Sequence, residues 1–184
     1  MTGRSRLFSV AVIVGTMVAA TVAGSAALAD GDSVLSGSSN IRVSLTGYEE
    51  TPVALSTTGE GSFRMSLNTH DDTITYRLSY SALEGTVTQA HVHFGSVAQT
   101  GGISFFLCTN LGNGPAGTQA CPAAPATITG TITPADIIGP AGQGITAGQF
   151  DEVVAAFRDG RTYVNVHSTL YPGGEIRAQL DRHH

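Results

Sequence analysis

The sequence predicts an all-β fold, an antiparallel sandwich or barrel-like domain with one short amphipathic helix before a C-terminal hairpin. Three observations carry that expectation. Apolar and polar residues alternate with a period of two in several separate stretches, as half-buried strands require. Segments rich in Gly, Pro, Asn and Asp separate those stretches and supply the turns. Only Gln149 to Phe157 repeats its apolar residues at helical spacing.

The chain starts with Arg4 and Arg6, followed by an uncharged run from Leu7 to Ala29 that closes in Ala27-Leu28-Ala29. A basic start, an apolar run and a small-x-small end read as a secretory signal over residues 1–29. Its Ala, Gly, Ser and Thr content favours cleavage over a membrane anchor, although the run approaches the ~20 residues that span a bilayer. Residues 30–40 are polar and rich in Gly and Ser, a flexible lead-in. What remains, 41–182, is enough for one domain with a proper core. The chain has nine Arg, no Lys and fourteen acidic residues; without Arg4 and Arg6, seven Arg face the same fourteen, a net charge of −7. That balance argues against nucleic acid or an anionic membrane as partner.

The first strand alternates Ile41, Val43 and Leu45 with Arg42, Ser44 and Thr46. From Gly47 to Gly61 the pattern breaks, and Glu49-Glu50-Thr51-Pro52 reads as a solvated loop, with an oxygen-rich cation site as the sharper alternative. Phe63, Met65 and Leu67 form the core face of a second strand; Ile74, Tyr76, Leu78 and Tyr80 form that of a third. Asn68 to Asp72 is the tip between them, which leaves His70 exposed. The fourth strand, Val87 to Phe94, sets Ala90, Val92 and Phe94 on one face and Gln89, His91 and His93 on the other. Two imidazoles on one strand face lie ~6–7 Å apart, and neutral imidazole is a common ligand for Zn and Cu. A third histidine on a neighbouring strand would complete such a site, and His167 is the candidate.

Ile103 to Cys108 reads as a buried strand, and the Gly-, Pro- and Ala-rich loop from Thr109 to Pro125 follows it. Cys108 and Cys121 are the only cysteines; in an exported protein they predict a structural disulfide. Thr127 to Thr133 alternates again, with Gly130 between Ile128 and Ile132, and Pro134 to Ile138 forms a single helical turn. In the one helix, Phe150, Val153, Val154 and Phe157 form an apolar stripe, with Thr146 as N-cap and Gly160 as stop. The closing hairpin sets Tyr163, Asn165 and His167 on one face of its first strand, and Glu175, Arg177 and Gln179 on one face of its second. Pairing polar with polar across an antiparallel ladder requires paired residue numbers with an even sum, hence an odd loop. A three- or five-residue loop holding a left-handed glycine fits Pro172-Gly173-Gly174.

These residues resemble the CHRD domain, a module of extracellular proteins, over about Ile41 to Asp181. The marks are L-x-G-x-E-x-x-P-V at Leu45 to Val53, A-H-[IV]-H at Ala90 to His93, and Y-V-N-V-H-[ST]…P-G-G-E-I-R-[GA]-Q-L at Tyr163 to Leu180. The resemblance implies an all-β extracellular module and carries no established molecular activity. Thr51 stands where the family often has a first proline, and Ala178 where glycine is usual.

Three functional readings follow. The first is a secreted module binding Zn or Cu through His91, His93 and His167, with Asn165 or Glu175 as fourth ligand or as orienter; Arg177 then pairs with a carboxylate or an anionic ligand. The second is an extracellular protein- or glycan-binding or structural module in which the same cluster is a polar network that sets strand register. The third, a redox enzyme like the copper-zinc superoxide dismutases, shares the H-x-H strand and disulfide but needs more ligands than three clustered histidines. No catalytic nucleophile stands in a recognisable setting.

Overall fold

The structure, a computed structural model, describes residues 39–181. The expected signal over 1–29 and residues 30–38 of the expected lead-in lie outside the described residues. Eight strands follow in order: β1 (Ser39–Thr46), β2 (Glu60–Asn68), β3 (Thr73–Ser81), β4 (Val87–Phe94), β5 (Gly102–Thr109), β6 (Ala126–Ile132), β7 (Thr162–Ser168) and β8 (Ile176–Gln179). The helix α1 (Phe150–Arg158) comes between β6 and β7. All eight strands join one sheet in the order β5-β4-β7-β8-β1-β2-β3-β6, paired antiparallel throughout. The predicted all-β class and the single helix before the last hairpin are therefore as expected.

Alternation decides which face is core. Ile41, Val43 and Leu45 of β1, Phe63, Met65 and Leu67 of β2, and Ile74, Tyr76, Leu78 and Tyr80 of β3 are all buried in one cluster. Val92, Val164, Val166 and Ala178 continue that cluster through β4, β7 and β8, and Phe150, Val153, Val154 and Phe157 add the apolar stripe of α1. The sheet curls until its edges approach: Tyr76 on β3 donates its hydroxyl to Leu107 O on β5, 2.8 Å away. The result is a nearly closed barrel, which shields the strand edges. Cys108 and Cys121 form the predicted disulfide and tie the end of β5 to the segment that leads into β6.

Gly130 has a specific role in that closure. It pairs with Tyr76 across β3 and β6, and a Cβ there would stand 2.6 Å from the tyrosine ring and hydroxyl. The missing side chain is the space through which Tyr76 reaches β5.

Two local expectations are corrected. The N-cap of α1 is Gln149, not Thr146; the Gln149 side-chain oxygen accepts the Thr146 N–H at 2.7 Å, so the two residues interact in the opposite sense. Gly160 does stop the helix, with φ +64 and its N–H on Phe157 O. In the closing hairpin the even-sum register holds, pairing Tyr163 with Gln179 and Asn165 with Arg177. Its loop is longer than three or five residues, because the ladder ends at Val166–Ile176. Beyond that point β7 is held instead by β4, which pairs Gln89 with His167 and Val87 with Ser168.

Substituting Gly130→Ala is expected to lower the unfolding free energy by ~1–3 kcal/mol, the cost of overpacking. Reducing the disulfide should cost about 3 kcal/mol for a loop of this length. Denaturant unfolding of the variant, and of the wild type with and without reductant, measures both.

Candidate metal centre

The strand order brings the three polar patterns together. On the outward face of β4, β7 and β8, His91, Asn165 and Arg177 form one cross-strand row, His93, Tyr163 and Gln179 a second, and Gln89 and His167 begin a third. An outward face is ordinarily wet, yet His91, His93 and His167 are 1%, 8% and 6% exposed. Phe106 is the cover on the β5 side. Two register shifts in the β4–β5 ladder accompany its pairing opposite His91, and its ring meets the His91 ring edge-on at 4.4 Å.

Each imidazole is oriented by a defined contact. His93 Nδ1 donates to Gly101 O at 2.9 Å, and His167 Nδ1 donates to Pro172 O at 3.0 Å. A carbonyl only accepts, so both rings carry their proton on Nδ1 and turn a bare Nε2 inward. His91 Nδ1 lies 3.2 Å from His167 Nε2. The Nε2 atoms of His91 and His93 are buried with no hydrogen-bond partner. Burial pushes the His91 imidazole down to about 2 and that of His93 to about 4, with neighbouring imidazoles adding to the effect; burial also lowers His167. All three are neutral at pH 7.

One nitrogen from each ring lies within 4.8 Å of the others. Four-coordinate ligands at ~2.0–2.1 Å from an ion are about 3.4 Å apart. The three nitrogens, up to 4.8 Å apart, are spaced somewhat wider than that, and the 3.2 Å contact of His91 Nδ1 with His167 Nε2 is a hydrogen bond that leaves His91 Nε2 as the free nitrogen. The predicted trio is thus assembled, with no carboxylate in the group among the described residues.

The other predicted residues have different partners. Glu175 is fully buried, and its Oε1 accepts from Thr57 Oγ1 at 2.9 Å and from the Glu84 N–H at 2.6 Å. It fastens two loops to the hairpin. Asn165 donates Nδ2 to Glu50 Oε1 at 2.7 Å, while its Oδ1 is buried without a partner. Arg177 departs from the expected ion pair. Its guanidinium donates to Thr51 Oγ1 and to Ser96 O, and lies 3.5 Å over the Tyr163 ring. No carboxylate is within ion-pair distance of it among the described residues. Tyr163 in turn stacks on His93, with ring centroids 4.7 Å apart and planes 1° from parallel. Because β4 and β8 flank β7, the tyrosine stands between the buried cation and the histidine cluster, a cation–π arrangement that shields one from the other.

Glu50 is the residue that sequence reasoning misplaced. Glu49 is exposed, as a solvated loop requires, but Glu50 is only 6% exposed. Burial raises its carboxyl to about 7, against the lowering influence of Arg177 and Asn165. Two glycines admit it. A Cβ on Gly174, at φ +133, would lie 2.7 Å from both Glu50 carboxylate oxygens. One on Gly47 would meet Leu55 O at 2.6 Å, where the loop after β1 folds back. Gly101 was also missed. Besides holding His93, it donates its N–H to the Tyr163 hydroxyl at 3.0 Å, and a Cβ there would collide with Phe94 O at 1.7 Å. For Glu50 the one prior signal was the broken pattern from Gly47 to Gly61, with paired carboxylates beside a proline.

Fold and site together define a small antiparallel β-barrel domain with a covered cluster of neutral histidines on its outer wall. The chain matches the family model of the CHRD domain over residues 41–180 and belongs to that family. No curated protein and no solved structure matches it.

Stability should depend on pH through this cluster. The histidines are depressed below their ordinary 6.5, so their contribution is complete above pH 6.5 and declines as pH falls toward about 4 and below. Glu50 is raised from 4.5 to about 7, so its contribution is complete below pH 4.5 and is lost as pH rises through 7. The two oppose each other between those limits, with three groups against one. The metal-free protein should therefore melt at progressively lower temperature from pH 7 to pH 5. Glu50→Gln should steepen that fall; calorimetric scans of both proteins across the range decide it.

Proposed function

We propose that His91, His93 and His167 bind one transition-metal ion, Zn or Cu, in an exported CHRD-domain protein. The observation that carries this reading is the pair of buried, unpartnered lone pairs on His91 Nε2 and His93 Nε2. A buried polar atom without a partner costs ~1–3 kcal/mol, and the cluster holds two side by side. Neutral, backbone-oriented imidazoles are the form in which histidine ligates metals, and the carbonyls of Gly101 and Pro172 are the kind of outer support such ligands use. An all-nitrogen donor set suits Zn and Cu rather than Ca or Mg. Binding at pH 7 would require no protonated imidazole to give up a proton. The disulfide accords with an oxidising compartment, and so with export.

A second reading is favoured by the 3.2 Å contact between His91 and His167, which joins β4 to β7 by itself. In that case the cluster is a structural polar network.

Metal analysis of tag-free protein, refolded or dialysed with Zn or Cu, separates the two. The metal reading expects close to one ion per chain, lost in a His91→Ala, His93→Ala variant. It also expects about 2.7 kcal/mol of stabilisation when free metal is 100-fold above Kd. Protein that retains no metal and melts at the same temperature with and without Zn or Cu would leave only the structural network.

A further inference from the structure

The outer wall away from the histidine cluster carries a second pattern. Arg42, Arg64 and Arg77 are directly opposite one another across β1, β2 and β3. All three are exposed. Among the described residues none of the three side chains makes a hydrogen bond, ion pair or ring contact. Adjacent strands are ~4.8 Å apart, so three guanidinium groups occupy a line about 10 Å long. Like charges directly opposite on a sheet destabilise it. A chain with nine Arg against fourteen acidic residues nevertheless places three of them in one unneutralised row. Folding does not account for such a row, whereas an anionic partner would.

The surroundings indicate the partner's chemistry. On one side the row is flanked by Ser44, Ser62, Ser79 and Thr127, on the other by Asn40, Ser66, Thr75 and Thr131, and Thr129 continues it on β6. The hydroxyl row on the first side lines a depression of about 600 Å³, whose far side, one row further from the arginines, carries Glu60 between Thr46 and Ser81. Another, of about 390 Å³, holds the three arginines with Asn40, Ser66 and Thr75. The large exposed apolar side chains, Tyr48, Val53, Val97, Leu111, Ile138 and Leu170, all lie off these four strands. A protein partner would ordinarily need an apolar or aromatic anchor, and single-stranded nucleic acid an aromatic stacking platform. Hydroxyls and amides beside a line of cations instead match a chain that alternates hydroxyl and carboxylate groups.

We infer that the Arg42–Arg64–Arg77 row and its flanking hydroxyl rows bind a linear acidic polysaccharide laid across the strands. Each guanidinium takes a carboxylate by its two-pronged donor geometry, and the Ser, Thr and Asn side chains exchange hydrogen bonds with sugar hydroxyls. This surface is on β1, β2, β3 and β6, not on the strands of the histidine cluster, and does not depend on that site.

The test uses the full folded domain, with alginate oligosaccharide as the probe, titrated calorimetrically at low and at physiological salt. Binding is expected and should weaken with salt, since exposed charges are screened. An Arg42→Gln, Arg64→Gln, Arg77→Gln variant should bind at least about tenfold more weakly, as three exposed ion pairs are lost. Removing three like charges should leave its melting temperature equal or higher, which separates lost binding from lost fold. Arg158→Gln, an exposed arginine on the helix, should bind as wild type. No binding to alginate, or binding unchanged in the triple variant, overturns the inference. So does poly-glutamate or duplex DNA binding as tightly as alginate, because the hydroxyl rows would then contribute nothing.

Discussion

The structure depends on a polar sheet face that has been taken out of water. The inner face of the barrel needs little comment, since alternation fills it with Val, Ile, Leu and Phe. The outer face of β4, β7 and β8 is different, because it carries His91, His93, Asn165, His167 and Arg177 and all of them are buried. Burying polar groups without partners costs several kcal/mol each, so the loops that cover this face also have to supply contacts. Gly101 O and Pro172 O take the histidine protons, and Ser96 O and Thr51 take the guanidinium. Glycines stand where backbone or carboxylate must come within van der Waals contact, at Gly47, Gly101 and Gly174.

This accounts for a buried arginine near a candidate metal centre, where the sequence predicts a carboxylate or anionic partner. Among the described residues no direct ion pair neutralises the cation. It is held by neutral acceptors and by the face of Tyr163, and the same ring stacks on His93 from the other side. Glu50 contributes at longer range and shares a hydrogen bond with Asn165, which sits between the two cationic or potentially cationic regions. The site is one connected array, and its parts come from five separate segments of the chain.

The outer wall divides into two chemical zones along one sheet. On β4, β7 and β8 the outward polar residues are covered and mutually bonded. On β1, β2, β3 and β6 they are exposed or half-buried, and the side chains of the row Arg42, Arg64, Arg77 have no partner among the described residues. Both zones obey the same alternation rule; the loops, together with Phe106 of β5, distinguish them. The 47–59 loop and the closing hairpin's loop fold over the first zone, and none of the loop contacts described above reaches the second.

Much of this was legible beforehand, because strands write their faces into sequence with a period of two. The core positions, the H-x-H pair, the face shared by Asn165 and His167, the even-sum register of the last hairpin and the disulfide all follow from local pattern or simple counting. The N-cap of α1 and the length of the hairpin loop did not, since each is set by a competing contact, Gln149 reaching back to Thr146 and β4 holding the end of β7. Glu50 could not be read at all: a carboxylate two residues before a proline looks solvated until Gly174 and Asn165, over a hundred residues away, close on it. Periodicity reports which face a side chain takes, and so the sequence alone determined the barrel wall and the histidines upon it. Whether a face is wet or covered depends on contacts between segments distant in the chain, and that only the tertiary structure decided.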